Sequence, residues 1–452
     1  MNNILELDNY IDLDSCVYIS KSGMVLEKNV LVKNLLDENS IEVNDLLEKV
    51  KEEYNSKNDF YEDIKCLEDI KLIKGKTNMN DGKVDKLDIS VITLLVCQEC
   101  NLRCKYCYGD GGSYSSSGFM NFETAKKSID FLFENTSKDE VFIVFFGGEP
   151  LMNFSLIEEC VKYSKDIASK FKKDVSHSIT CNGTLLNEKI TKFLKENDFI
   201  ITLSVDGDKE IHDSNRYYCD GRGCFEEVER KTNALLDYKN LTARATVSDT
   251  CLNYDEIYKK IRKIGIKSVF MAPCSNLVKE KEFNDLLESY DKFFETFDKC
   301  IKEENFMEAR SMKNIYNLLL RIENPQPYYY HCGAAITGIA VGVNGDIYPC
   351  HRFVGQDDFC IGNNKELFDY KKYNNVLDEL LVLNREKCKE CEIVSLCAGD
   401  CPSENLNLNT SSKKTTNYIC NYNKNVFKKA LETYIKLSDY EKVKLGIKRR
   451  ND

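Results

Sequence analysis

Three cysteines in Cys100-Asn101-Leu102-Arg103-Cys104-Lys105-Tyr106-Cys107 stand at a CxxxCxxC spacing, just after a β-type run from Leu87 to Val96. Three thiolates in one short loop make a compact cup of soft ligands, which suits an iron–sulfur cluster or zinc. A structural zinc site closes with four protein ligands. A [4Fe–4S] cube held by three cysteines keeps one iron open, and an open iron is a site for chemistry. A second group is more specific: Cys332, Cys350, then Cys388-x2-Cys391-x5-Cys397-x3-Cys401, and finally Cys420. A zinc ribbon would explain Cys388, Cys391, Cys397 and Cys401 but not the upstream pair. The chain has 21 cysteines, and its acidic start lacks the basic and apolar regions of a signal peptide. A cytoplasmic location is expected, where thiols stay reduced and grouped cysteines point to metal clusters rather than disulfides.

The elements that position these cysteines can be read from periodicity. Within 452 residues, 42% are hydrophobic and 30% charged, ordinary values for a soluble protein of several domains. The net charge of −11 lacks the basic footprint of a nucleic-acid binder. No apolar run approaches the ~20 residues that span a bilayer. Residues 1–85 read as a small domain of short strands followed by helices over Val43 to Tyr54 and Tyr61 to Asp69, with Ile70 to Ile73 as a closing strand. A polar, breaker-rich stretch from Lys74 to Lys86 marks its end. In residues 86–274 strands alternate with helices, which predicts βα units on a parallel sheet. The predicted strands are Leu87–Val96, Val141–Phe146, Val175–Cys181, Ile200–Val205, Thr242–Val247 and Lys267–Ala272, and the helices between them include Phe154–Phe171, Cys224–Tyr238 and Tyr254–Ile264. Residues 275–324 read as a helical connector with helices over Phe283 to Ile301 and Met307 to Ile322, and Pro325 to Tyr330 opens the cysteine-rich segment 325–452.

The CxxxCxxC loop with Tyr106, taken together with the motifs downstream of it, resembles the radical S-adenosylmethionine (SAM) superfamily. Gly147-Gly148-Glu149-Pro150 comes after the second strand, where two glycines permit close backbone approach, and is similar to the motif that meets the SAM amino group. Thr180-Cys181-Asn182-Gly183-Thr184 ends the third strand, and the resemblance puts Asn182 near the SAM ribose. Ser204-Val205-Asp206-Gly207 with His212, Asp213 and Arg216 resembles a further pattern of the subgroup. Ser204 and Asp206 share one strand face, as do Arg244 and Thr246. An inward Arg244 needs a partner, and the SAM carboxylate is a fitting one. The resemblance implies a partial (β/α)6 barrel with catalytic cysteines Cys100, Cys104 and Cys107. Its SAM contacts would be Gly147, Gly148, Glu149, Pro150, Asn182, Ser204, Asp206 and Arg244.

The downstream cysteines resemble the SPASM domain and imply two auxiliary [4Fe–4S] clusters, three in all. Cys332, Cys350 and Cys401 would hold the first auxiliary cluster; Cys388, Cys391, Cys397 and Cys420 would hold the second. Residues 325–331 supply no cysteine for a fourth ligand to the first, so either Cys360 closes it or an iron stays open. Residues 1–85 are similar to the winged-helix-like domains that grip leader peptides. Cys332 to Gly355 resembles enzymes that install thioether bonds in ribosomal peptides. The implied activity is thioether crosslinking of a precursor peptide. Formylglycine formation in sulfatases and carbon–carbon peptide cyclisation are the alternatives. The implied partners are a precursor peptide with its leader and an electron donor such as flavodoxin or ferredoxin, without nucleic acid or membrane.

Overall fold

The computed structural model describes residues 4–74, 87–325, 329–364 and 368–448. Most of the expected boundary at Lys74 to Lys86, and the core of the one at Pro325 to Tyr330, lie outside the described residues. The chain forms two compact units that cut across the four consecutive segments expected from sequence. One unit combines Met1–Lys83, Asn317–His331 and Leu380–Asp452; the other combines Val84–Tyr316 with Cys332–Glu379.

The larger unit is built on one sheet. Its strands are β1 (Val91–Cys97), β2 (Glu140–Gly147), β3 (Asp174–Cys181), β4 (Ile200–Ser204), β5 (Leu241–Val247), β6 (Val269–Pro273), β7 (Gly338–Val341), β8 (Asp346–Tyr348) and β9 (Gly362–Asn363). The spatial order is β6-β5-β4-β3-β2-β1-β7-β8-β9. Every pairing from β6 through β7 is parallel, and β8 and β9 add antiparallel strands at the far edge. The six βα strands lie within a few residues of their predicted positions. The seventh parallel strand, β7, was not foreseen. Only four residues long, it sits between turn-forming segments in a stretch dominated by its cysteines.

Burial alternates along β2, β3 and β5. Val141, Ile143 and Phe145 are fully enclosed, whereas Phe142, Val144 and Phe146 are half-buried on the opposite face. The second face also carries Ser178, Thr180, Thr242, Arg244 and Thr246. Apolar side chains thus seal one side, and a half-buried surface of mixed polar and apolar side chains remains on the other. His177 points to the sealed side, where burial holds its imidazole neutral, down at about 4, against the Ser164 hydroxyl at 2.8 Å.

Helices Phe154–Phe171 and Tyr254–Ile264 match the predicted spans. The predicted helix over Cys224 to Tyr238 is Phe225–Thr232, continued only by a short 3-10 turn. The single helix expected over Met307 to Ile322 is broken at Met312 into Phe306–Ser311 and Lys313–Glu323. That break serves the sheet edge. Asn314 Nδ2 donates to the Met271 carbonyl at 2.6 Å, and its Oδ1 accepts from the Met271 amide at 2.8 Å. One side-chain amide thereby satisfies backbone groups that a further strand would otherwise pair.

In the other unit, Tyr10–Asp12, Cys16–Ile19 and Val25–Glu27 form an antiparallel meander, and Ile4–Glu6 pairs with Ser40–Glu42. Helices Val30–Glu38, Val43–Val50 and Lys57–Asp69 pack with them around Val17, Leu46, Phe60 and Ile64. The Val30–Glu38 helix was not foreseen. Its β-branched start hides a helix that Asn29 caps by accepting from the Val32 amide at 2.8 Å. The expected closing strand is a single bridge, Leu7 to Ile73. Within this unit the Ser395 hydroxyl bonds both the Tyr18 hydroxyl, at 2.8 Å, and the Ser20 carbonyl, at 2.5 Å. The short helix Val394–Cys397 is fixed to the N-terminal meander through these bonds.

Replacing Asn314 with Leu strands the Met271 amide and carbonyl, at about 1–3 kcal/mol for each unpaired group. The variant should unfold in denaturant with a loss of about 2–4 kcal/mol; an unchanged midpoint would mean that water satisfies this edge.

Candidate functional site

The CxxxCxxC loop leaves β1 and is held from three sides. From below, the end of β2 reaches it through the backbone: the Gly148 amide donates to the Cys97 carbonyl at 2.8 Å, and the Glu149 amide to the Glu99 carbonyl at 2.9 Å. A Cβ on Gly147 would lie 2.0 Å from the Cys97 oxygen, and one on Gly148 2.2 Å from the Glu99 oxygen. Gly147 also holds φ at +137°. The paired glycines are therefore a steric requirement of this contact.

From the side, Glu149 is fully buried and accepts from the Asn182 amide at 2.7 Å and the Leu151 amide at 3.0 Å. Asn182 donates to Asn101 Oδ1 at 2.9 Å and accepts from both the amide and the hydroxyl of Thr184. Asn101 in turn donates to the Thr184 hydroxyl at 2.8 Å. Asn182 thus wires the third strand end to the residue after Cys100. Asn101 and Thr184 were missed by sequence reasoning, because amide and hydroxyl networks leave no spacing signature.

From above, Asp206 is fully buried. Its Oδ2 accepts from the Tyr106 hydroxyl and from Arg216 Nε at 3.1 Å, and its Oδ1 accepts from the Thr246 amide at 2.9 Å. Arg216 Nη1 lies 3.8 Å from Cys104 Sγ, and its guanidinium sits 5.2 Å over the Tyr106 ring. A carboxylate, an arginine and a tyrosine therefore brace one cluster cysteine together. His212 stands behind them: it accepts the Asp206 amide proton at 3.4 Å, lies 3.3 Å from Cys224 Sγ, and burial lowers its pKa to about 4. Asp213 caps the Phe225–Thr232 helix by accepting from the Cys224 and Phe225 amides. Both residues brace the site from outside.

Arg244 lies beside Ser204 in the β4–β5 register. Its guanidinium stacks over the Phe270 ring at 5.3 Å and donates to the Ala245 carbonyl at 2.6 Å. Among the described residues no carboxylate pairs with it, and burial lowers its pKa. Tyr108, Tyr114 and Arg103 were also missed. The Tyr114 hydroxyl donates to the Gly147 carbonyl at 3.2 Å, and Arg103 Nη1 donates to the Cys100 carbonyl at 2.7 Å.

The second cysteine group divides between the units. Cys332, Cys350 and Cys360 belong to the unit of the sheet, and Cys401 to the other. Cys360 Sγ lies 3.4 Å from the Gly362 carbonyl. Cys388, Cys391, Cys397 and Cys420 line one cavity of about 500 Å³, with Lys387 and Lys424 at its wall.

Both cysteine sets can be tested for what they would hold. Burial, then the neighbouring Glu149 charge, pushes the Cys100 thiol up to about 12, and burial also raises Cys104, Cys388 and Cys397. Near neutral pH such thiols keep their protons until a metal cation displaces them. One zinc ion at about 2.3 Å from each sulfur needs sulfurs about 3.8 Å apart. Among the described residues, neither set brings three sulfurs within 4.8 Å of one another. The wider spacing fits a polynuclear cluster.

Similarity to known proteins agrees with this geometry and decides the family. Residues 94–250 match the radical SAM superfamily profile. The chain is 32% identical over 276 residues to an uncharacterised protein of Methanocaldococcus jannaschii, covering 60% of this chain and 87% of that one. The chain belongs to the radical SAM superfamily. It is 27% identical over 373 residues to the cysteine-type anaerobic sulfatase-maturating enzyme of Clostridium novyi, covering 77% of this chain and 97% of the relative. The solved structure of anSMEcpe with bound AdoMet and Cp18Cys peptide superposes with a TM-score of 0.64 at 25% identity, over 77% of this chain and 98% of that one.

These relatives overturn the thioether-crosslinking expectation and favour the sulfatase-maturating alternative. The reason is physical. CxxxCxxC, GGEP and the strand-end polar residues encode how a radical is made and shielded, which is common to the superfamily, and they do not encode which bond is attacked. Among the described residues no helix is long and apolar enough to cross a membrane.

Glu149 makes a pH test. Burial raises its carboxyl from 4.5 to about 7 despite the Asn182 and Leu151 amides, which pull the other way. The folded state then binds this proton more tightly than the unfolded state. Its stabilising contribution is full below the unfolded value and is lost as pH rises through about 7. In metal-free protein, Glu149→Gln should flatten the decline in unfolding free energy between about pH 5 and about pH 8. An unaltered slope would mean that Glu149 titrates normally.

Proposed function

We propose that this chain is a radical SAM protein maturase of the anaerobic sulfatase-maturating kind, oxidising a cysteine side chain of a polypeptide substrate to formylglycine. The observation that carries it is the match to sulfatase-maturating relatives along nearly their whole length. The cysteine-type relative favours cysteine over serine as the target. About a quarter of this chain lies outside that match.

A [4Fe–4S] cluster at Cys100, Cys104 and Cys107 with SAM would supply a 5′-deoxyadenosyl radical to take one hydrogen atom from the substrate Cβ. Loss of one more electron, to a cluster, and of the thiol proton would leave a thioaldehyde. Water would hydrolyse this to the aldehyde with release of hydrogen sulfide. The residues of the chain do the rest. Gly147, Gly148 and Pro150 shape the backbone that meets the SAM amino group, and Glu149 keeps that backbone in place. Arg244, which lacks a carboxylate partner among the described residues, would hold the SAM carboxylate. Asn182 and Asp206 act as positioning residues, because their side-chain oxygens are already engaged within the protein. Ser204 borders the SAM site beside Arg244. The half-buried face of the sheet receives the substrate and excludes water from the radical.

Two further clusters on the downstream cysteines complete the reading, one of them on Cys388, Cys391, Cys397 and Cys420, with a flavodoxin or ferredoxin as reductant. Residues 1–85 are proposed to grip the substrate polypeptide outside its reacting residue.

Anaerobically reconstituted protein should carry about 12 iron atoms per chain, falling to about 8 when Cys100, Cys104 and Cys107 are all replaced by Ala. With SAM, dithionite and a sulfatase-derived peptide bearing the target cysteine, a hydrazide-reactive aldehyde should form alongside 5′-deoxyadenosine. The triple variant should make neither. A crosslinked peptide without aldehyde would overturn the reading, and conversion of a serine peptide alone would overturn the assigned target.

A further inference from the structure

Arg385 stands out among the groups that the proposed reaction leaves unused. It is the largest fully enclosed side chain among the described residues, 1% exposed. Its Nη1 donates to the Gly399 carbonyl and, at 3.3 Å, to the Asp400 carbonyl. Its Nε and Nη2 are buried and have no hydrogen-bond partner among the described residues. An unpaired buried cation costs several kcal/mol unless a negative charge meets it.

The surroundings say where that charge belongs. The groups whose fields act most on Arg385 are Cys388, Asp400, Cys397 and Cys401. Cys388, Cys397, Gly399 and Asp400 all line the 500 Å³ cavity. Gly399 is the thin wall between guanidinium and cavity: a Cβ there would lie 2.4 Å from Arg385 Nη1. The backbone around it is strained, with Ala398, Gly399 and Asp400 at φ of +51°, +78° and +62°. The two non-glycine residues of this turn hold a conformation that L side chains disfavour. The chain spends that strain to turn its carbonyls toward Arg385 and keep the arginine beside the cysteines. Among the described residues Asp400 forms no ion pair with Arg385; only its backbone carbonyl meets the guanidinium.

We infer that Arg385 is the built-in counter-cation of an anionic thiolate-bound cluster in this cavity, and that it sets that cluster's reduction potential. This rests on the proposed cluster at Cys388, Cys391, Cys397 and Cys420. Four thiolates on a [4Fe–4S] core leave a net negative charge that grows by one on reduction. A fixed cation behind the wall favours the reduced form and raises the potential. Lys387 and Lys424 line the same cavity, but Lys387 is exposed and Lys424 partly so, and water screens them. Arg385 is dry and unscreened, so it dominates. It is a positioning residue that touches no substrate.

The test uses full-length protein reconstituted anaerobically, with iron and sulfide counted and clusters titrated potentiometrically by electron paramagnetic resonance. Cys388→Ala with Cys391→Ala identifies the signal that belongs to this cavity. Arg385→Met should keep that signal but move its midpoint negative, by at least a tenfold change in the reduction equilibrium, which is about 59 mV for one electron. Arg385→Lys keeps the charge and should stay near the wild-type midpoint. If Arg385→Met binds too little iron to titrate, Arg385→Gln is read in its place. Should the double cysteine variant retain all its iron, the cluster assignment itself fails. Should the cluster load and its midpoint remain fixed in Arg385→Met, the assignment stands and the role of Arg385 is overturned. Equal loss of iron in the Met, Gln and Lys variants, with an unmoved midpoint in what remains, would also overturn it by leaving Arg385 only a loop brace.

Discussion

Two backbone hydrogen bonds, Gly148 amide to Cys97 carbonyl and Glu149 amide to Glu99 carbonyl, are what the site depends on. They bring the end of one strand against the entry to the cysteine loop at a distance that no side chain tolerates. Everything that would hold SAM or a cluster at this loop is arranged around this approach. Glu149 exploits it by reaching under the loop to the third strand end. Asn182 carries the connection on to Asn101, and Asp206 closes it from the fourth strand through Tyr106 and Arg216. Three strand ends are thereby locked to one loop by side chains that are themselves buried. The cysteines can then present their sulfurs without the loop collapsing on itself.

Charge obeys a similar logic in both cysteine regions. Burial pushes the thiols toward the protonated form, so each site is poised to be ionised by metal rather than by water. An arginine stands behind each: Arg216 beside Cys104 and Arg385 behind the Cys397–Cys401 turn. The two differ in their pairing. Arg216 is matched by Asp206 before any cluster arrives, whereas Arg385 keeps two donors unmatched among the described residues.

Much of this was legible in the sequence because strand and helix periods are long-range and redundant. The run Val141 to Phe146 announces a strand, and its glycines announce a close approach at its end. The alternation of Arg244 and Thr246 with alanine and valine placed both on one face correctly. What stayed hidden depends on contacts between distant segments. Asn314 caps a sheet edge, Asn101 meets Thr184, and Ser395 ties a short helix to a meander formed by residues far earlier in the chain. A four-residue strand such as Gly338–Val341 is too short for a period, and its partner, Val91 to Leu94, is remote in sequence. The substrate was hidden for a different reason. The motifs specify radical generation, and the choice of bond lies with surfaces that have no fixed spacing.

The most direct test of the central claim tracks the hydrogen atom. A peptide bearing the target cysteine with deuterium on Cβ is turned over anaerobically with SAM and reductant, and the 5′-deoxyadenosine is weighed by mass spectrometry. Each 5′-deoxyadenosine formed with aldehyde product should carry one deuterium. Unlabelled 5′-deoxyadenosine formed in step with product would mean that another carbon is attacked, and the proposed side-chain oxidation would be wrong.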